Sequence, residues 1–303
     1  MRVKILGAAA GGGFPQWNCR CANCRRLRQG SFHGTPRNQA QLALSAGDRD
    51  WYLVNASPDL RVQIESTPEL HPQEGQRHSP IRGVILTCAE LDQVLGLLLL
   101  RECQSLRVHS TTAVRRILLE DNSMFAMLER HPGQLSWSDV VPGVPFQVDP
   151  GICCTPLTVP GGYPLYVSGS RLAQSPPGEA VLALLFESGG GGKLAYFPGA
   201  PQVDETWLPW LEQSDVLLFD GTFWTDDELI QVQGSGRTAR QMGHLPVSGP
   251  GGALERLAAL RHPRKLFMHV NNTNPMLDEE SAAYREVCDA GWDVARDAME
   301  FTL

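Results

Sequence analysis

The sequence predicts an α/β protein: two mixed β-sheets packed face to face, with helices outside. Three observations carry that reading. Short strand-like runs are bounded by turns, they arrive in groups ahead of helical stretches, and more than one such group follows along the chain. A single βαβ array would alternate its strands and helices more evenly. At 303 residues the length alone allows one large domain or two ordinary ones, and an apolar content of 42% is enough to bury a proper core.

The elements follow in order. Strand-like runs occupy residues 2–6, 41–45, 51–55, 84–87, 106–109, 147–148, 180–187, 193–197, 216–219 and 265–269. Apolar residues recur at helical spacing over residues 92–103, 111–129, 204–212, 252–261 and 279–290. The glycine stretches at 11–13, 189–192 and 249–252 read as turns between elements, and none is long or polar enough for an interdomain linker. The chain shows no internal repeat.

Charge and composition exclude several classes of function. The net charge is -7, and Arg25, Arg26 and Arg28 do not extend into a long basic run, so no nucleic-acid partner is expected. The opening MRVKILGAAAGGGF passes from a strand-like run into glycines without the apolar core of a signal peptide. The longest apolar stretch, 94–100, contains Gly96 and falls short of the roughly 20 residues a membrane span needs. A cytoplasmic protein with no membrane span is therefore expected. Its eight cysteines are sparse for a disulfide scaffold and read as reduced thiols or metal ligands.

Two polar clusters stand out. In LTCAELDQVLGLLLLREC, the residues Cys88, Glu90, Asp92 and Gln93 lie between an apolar strand and an apolar helix, where α/β proteins open their ligand crevice. In WNCRCANC, the thiols of Cys19, Cys21 and Cys24 can wrap one face of a tetrahedral zinc ion, with a fourth ligand from elsewhere. The plainer alternative, three unliganded thiols in a turn, would leave them open to oxidation. The preceding GAAAGGG lacks the Gly-Lys-Ser/Thr ending of a phosphate loop and reads as a tight turn. Cys103, Cys153, Cys154 and Cys288 read as buried small apolar residues.

TCAELDQ followed by an apolar helix resembles the HxHxDH motif of the metallo-β-lactamase fold, with Cys88, Glu90 and Gln93 at the histidine positions and Asp92 retained. DVLLFDGTF places Asp220 at that fold's metal-bridging aspartate, MGHLPVSG resembles its later glycine-histidine motif, and LFMHVNNTNP places His269 at the final histidine ligand. GAAAGGGFPQWNCRCANC, VNASPDLR and HVNNTNP together resemble a narrower group, the pyrroloquinoline quinone (PQQ) biosynthesis protein B family, from the first residues almost to the last. The resemblance implies one metallo-β-lactamase-like αββα domain over residues 1–303. It implies a role in making the redox cofactor from a ribosomal peptide, either by iron-dependent hydroxylation of the precursor tyrosine or by carrying the cofactor or its precursor. It also puts Asn272 where related enzymes place the fourth zinc ligand. Two positions depart from the family: many members carry histidine in place of Gln93 and aspartate in place of Cys88.

Glu90, Asp92, Asp220 and His269 offer three carboxylates and one imidazole, a hard donor set suited to iron(II), manganese or magnesium. No histidine lies between His131 and His244, so one active-site ion is expected and not two. Three anionic ligands offset the charge that would acidify a bound water, which ranks metal-dependent hydrolysis last. Oxygen chemistry needs electrons, and without a flavin or nicotinamide fingerprint an external donor is implied. The expectation is a structural zinc on Cys19, Cys21, Cys24 and Asn272. A separate iron would be held by Glu90, Asp92 and His269, assisted by Asp220, with His244 beside a small-molecule or short-peptide precursor. The alternatives are a non-catalytic carrier and a remnant hydrolase, and homo-oligomerisation stays open. Each residue also has a plain reading. Asp92 and Asp220 cap turns as readily as they bind ions, Glu90 fits a solvated loop, and Gln93 fits a hydrogen-bonding neighbour. Cys88 fits a packed thiol, His269 a core histidine and His244 a turn histidine.

Overall fold

A computed structural model of the chain describes every residue except 48, 103 and 235. The strands are β1 (Arg2–Gly7), β2 (Gln41–Ser45), β3 (Trp51–Val54), β4 (Ile81–Ile85), β5 (Leu106–Ser110), β6 (Leu135–Asp139), β7 (Phe146–Asp149), β8 (Ile152–Thr158), β9 (Leu182–Ser188), β10 (Lys193–Phe197), β11 (Val216–Asp220), β12 (Arg264–Met268), β13 (Trp292–Val294) and β14 (Glu300–Thr302). They form two mixed seven-stranded sheets, β14-β1-β2-β3-β4-β5-β6 and β13-β12-β11-β10-β9-β8-β7, so the predicted two-sheet α/β class holds.

The chain divides into two compact units, the first comprising Met1–Leu6, Gln41–Gly192 and Ala298–Leu303. In its sheet β3, β4, β5 and β6 run parallel, while β2 pairs antiparallel with β3 and β1 with β14. Trp51, Leu53, Val84 and Val108 are buried with Leu97, Ile117 and Phe125 in its core. Such near-continuous apolar runs are what parallel strands covered on both faces require. The helix Thr112–Glu120 starts where the Thr111 hydroxyl accepts from the Val114 N–H at 3.3 Å, and it buries Ala113, Val114, Ile117 and Leu118 on one face. β7, β8 and β9, also in this unit, pair antiparallel with one another in turn.

Two helices expected here are shorter or tighter than their apolar spacing implies. Residues 92–103 give one α-turn, Leu91–Val94, and then a 3₁₀ stretch, Leu95–Leu100; the expected end at Cys103 lies outside the described residues. The backbone packs closely at Gly96, where a Cβ would lie 2.3 Å from the Ser57 carbonyl oxygen. The 111–129 stretch is broken after Glu120 into Ser123–Ala126 and the 3₁₀ turn Met127–Glu129.

The second unit comprises Gly7–Ala40 and Lys193–Asp297, with β10, β11, β12 and β13 all parallel. β13 is three residues long and is anchored by Trp292, whose ring stacks on Phe267 with centroids 4.2 Å apart. The expected helix over 252–261 shrinks to Ala253–Arg256, and that over 279–290 is Ala282–Asp289, capped where the Ser281 hydroxyl accepts from the Tyr284 N–H at 2.9 Å. No helix among the described residues is long and apolar enough to cross a membrane.

Candidate metal centres

β11 reads VLLFD with all five residues buried, so the strand carries Asp220 to its carboxyl end inside the protein. β12 lies parallel to it with Met268 opposite Asp220, which puts His269 one residue beyond the strand at the same level. The turn after Asp220 needs Gly221, because a Cβ there would lie 2.6 Å from that of Phe267. His269 takes a left-handed backbone, φ 59, a conformation that costs a non-glycine residue on the order of 1–2 kcal/mol and gathers at functional sites. One donor atom each from Asp220, His244 and His269 falls within 4.8 Å of the others.

A carboxylate as deeply buried as Asp220, 0% exposed, is costly unless its oxygens are satisfied. Its Oδ1 accepts from the Thr222 N–H at 3.1 Å and the Thr222 hydroxyl at 2.6 Å, and its Oδ2 from the Ala200 N–H at 3.3 Å and His244 Nδ1 at 2.9 Å. The His244 and His269 rings stack with centroids 5.4 Å apart, and Phe223 meets His244 edge-on at 5.9 Å. The sequence reading placed His244 beside the substrate; here it stands in one group with the two residues read as ion-binding. Thr222 went unnoticed in the sequence. Its signal is the D-G-T step itself, since an aspartate accepting the N–H two residues on forms an Asx turn.

The thiol cluster lies at the start of the helix Ala22–Arg28, where Cys21 is the cap and its sulfur accepts from the Cys24 N–H at 3.5 Å. The Asn272 side-chain amide stands 3.1 Å from Cys19 Sγ, 3.5 Å from Cys21 Sγ and 3.4 Å from Cys24 Sγ. Ligands at zinc–sulfur and zinc–oxygen distances around one tetrahedral ion would lie about 3.5 Å apart, so the four side chains fit such an ion once the amide turns its oxygen inward. Burial opposes ionisation of Cys19, but the Cys21 N–H, the Cys21 and Cys24 thiols and the Asn272 amide outweigh it and lower its pKa. Cys24 is pushed up to about 12, first by burial and then by the neighbouring sulfurs. Ionising all three thiols at this spacing would call for a cation among them. Asn23, also buried, ties the cluster to the next loop by donating to the Asn272 carbonyl at 3.1 Å and the Asn274 carbonyl at 3.0 Å.

The β-lactamase superfamily domain model matches residues 50–270. The coenzyme PQQ synthesis protein B of Methylobacterium sp. (strain 4-46) is 44% identical over 305 residues, covering 100% of both chains. The chain belongs to the coenzyme PQQ synthesis protein B family. The family's member from Azotobacter vinelandii (strain DJ / ATCC BAA-1303) is likewise 44% identical, over 306 residues and 100% of each chain. The crystal structure of Zn(2+)-bound PqqB from Methylobacterium extorquens has a TM-score of 0.93 to this chain at 38% identity and 100% mutual coverage. A diphosphatase from the PhnP family, 16% identical with a TM-score of 0.69 over 100% of this chain and 97% of its own, shares the fold.

The remaining positions of the family-like motif lie in the first unit. Gln93 is buried and bridges, accepting from Asn55 Nδ2 at 2.6 Å and donating to Asp92 Oδ2 at 2.7 Å. Asn55 Oδ1 in turn accepts from the Thr87 N–H at 2.9 Å. Glu90 is exposed and precedes the helical turn Leu91–Val94, and Cys88 is buried, its thiol pushed up to about 12 by that burial. The expected ion joined Glu90 and Asp92 to Asp220 and His269, whereas the group assembled within the second unit itself is Asp220, His244 and His269. Cys154 is buried as read, but two other thiols are not. Cys153 is half-buried on β8, whose residues alternate in burial, and Cys288 is exposed on a helix that buries Ala283 and Val287. Cys103 lies outside the described residues.

Proposed function

We propose that this chain acts in PQQ biosynthesis as an iron(II)-dependent hydroxylase of a tyrosine-derived precursor. The Asp220, His244 and His269 group carries the proposal: two imidazoles and one carboxylate within 4.8 Å have the donor composition of non-haem iron oxygenase sites. The names of the full-length relatives support the pathway. Iron(II) held by such a set supplies dioxygen activation, fed by an external electron donor. The chain's own contribution is a buried carboxylate and two oriented rings. In the overall change one oxygen atom of O₂ converts an aromatic C–H to C–OH, and the other leaves as water with two electrons and two protons from the donor. Zinc is assigned to Cys19, Cys21, Cys24 and Asn272, because sulfur donors prefer that ion and the Methylobacterium extorquens relative binds it.

The test combines the purified chain with iron(II), a reductant, labelled dioxygen and a tyrosine-containing precursor peptide or dipeptide. A mass gain of one labelled oxygen atom is expected. No gain, together with tight PQQ binding that survives removal of the iron, would replace the hydroxylase with a carrier.

A further inference from the structure

Asn274 lies in the loop after β12, five residues past His269, and is 0% exposed. The ladder between β11 and β12 ends at the pair Asp220 and Met268. Beyond it the Gly221 N–H donates to the Met268 carbonyl at 2.8 Å and the Asn271 N–H to the Thr222 carbonyl at 3.0 Å. The Asn274 side chain adds two bonds between the same segments, to the Gly221 carbonyl at 3.0 Å and the Thr222 carbonyl at 3.3 Å. Its oxygen accepts from the Met276 N–H at 3.0 Å. Carbonyls only accept and a backbone N–H only donates, so this position needs two donors and an acceptor on one short side chain. An amide has them; ionised aspartate has no donor and serine has one. The other ties of the loop lead elsewhere. Val270 donates to the Ala8 carbonyl at 3.0 Å and accepts from the Ala10 N–H at 2.9 Å. The Asn274 carbonyl accepts at 3.0 Å from Asn23, on the helix that starts at the thiol cluster.

We infer that Asn274 is a positioning residue: its buried amide fastens the turn after Asp220 to the loop after His269, and so sets how far apart these two donors stand. Asn23 holds Asn274 from the other side and fixes the tie against the thiol-bearing helix. His269 needs such a hold, because its left-handed backbone, φ 59, is strained for a histidine and persists only where the surrounding structure imposes it. Loss of a partner that orients a metal site from outside typically weakens affinity 10–100-fold. Asn274 acts through the backbone, which puts its share at the lower end. The consequence for an ion rests on the metal-site reading above; the hydrogen bonds themselves do not.

The experiment titrates manganese(II) into the full chain, depleted of iron with its zinc retained, and follows the free ion by its paramagnetic resonance. His269→Ala should abolish the binding, which assigns it to this group. Asn274→Ala is expected to weaken it about 10-fold with zinc content unchanged, and Asn23→Ala to weaken it less, in the same direction. Ile117→Val, in the core of the first unit, is the control, because it lowers stability without touching the tie. It should bind manganese as wild type does; an affinity loss shared by Ile117→Val and Asn274→Ala overturns the inference, as does an unchanged affinity in Asn274→Ala. Should Asn274→Ala fail to fold, Asn23→Ala decides: weaker manganese binding with zinc kept supports the tie, and unchanged binding overturns it. A wild type that binds manganese yet does not hydroxylate its precursor retires the hydroxylase reading and leaves Asn274 in place. One that binds none, or whose binding survives His269→Ala, overturns both.

Discussion

Cys19, Cys21 and Cys24 come from one short turn and the start of one helix, whereas Asp220, His244 and His269 come from two strand ends and a separate loop. Ionising the whole sulfur group would gather like charges, which a cation would offset. The imidazole–carboxylate group offsets itself, since every oxygen of Asp220 accepts from N–H or O–H groups of the protein. The contrast assigns different jobs. On the proposed assignment, an ion among the thiols would be part of the fold, and an ion at the imidazoles would come and go while the fold stands. The two groups share one loop, with His269 at its head and Asn272 within it, and Asn274 of that loop donates to the Gly221 carbonyl at 3.0 Å.

The largest expected effect breaks the contrast on the sulfur side. Cys24→Ser should release zinc and lower unfolding stability by several kcal/mol, because binding energy at a structural site is folding energy. Thermal melts with and without a chelator check this: wild type should lose stability on chelation and Cys24→Ser should not.

Next comes the loop between the groups. Glu228, 6% exposed, accepts from the Thr273 hydroxyl and from the Trp224 N–H, and burial raises its pKa to about 7 from an ordinary 4.5. The folded state therefore keeps a proton that the unfolded chain releases between those values. This stabilisation is complete below pH 4.5 and is lost as pH rises through about 7, by at most about 3 kcal/mol. Denaturation midpoints for wild type minus Glu228→Gln should fall across that window; a flat difference would contradict it. Asn23→Ala leaves the Asn272 and Asn274 carbonyls without their amide donor and should cost about 1–3 kcal/mol, read from urea unfolding.

The smallest effect sharpens the contrast between bound and inert thiols. Cys88→Ala should leave metal content unchanged and cost about 1 kcal/mol. In wild type, alkylation after zinc removal should label Cys19 before Cys88, whose buried thiol is held near 12. Peptide mapping by mass spectrometry would show the order.

The same contrast explains what could be read from the sequence. A cysteine spacing is local, so the thiol cluster was visible at once, and Asn272 required only the family resemblance. β2 and β10 matched their predicted ends because their apolar runs stop at turns. β8 was missed because Pro156 interrupts ICCTPLT, although its neighbours pair and its carbonyl accepts from the Gly143 N–H at 2.7 Å. β13 and β14, at three residues each, are too short for periodicity to register. Nothing in the spacing of residues 220, 244 and 269 announces that they meet: parallel pairing of β11 with β12 brings Asp220 level with Met268, and His244 comes from a separate loop. Thr222 escaped notice because its importance lies in its contacts with Asp220 and not in its residue type.

Elemental analysis of wild type, Cys21→Ser and His269→Ala tests the separation of the two ions most directly. His269→Ala is predicted to lose iron and keep one zinc per chain, and Cys21→Ser to lose zinc. A His269→Ala protein that loses zinc and iron together, or a Cys21→Ser protein that keeps its zinc, would contradict the account.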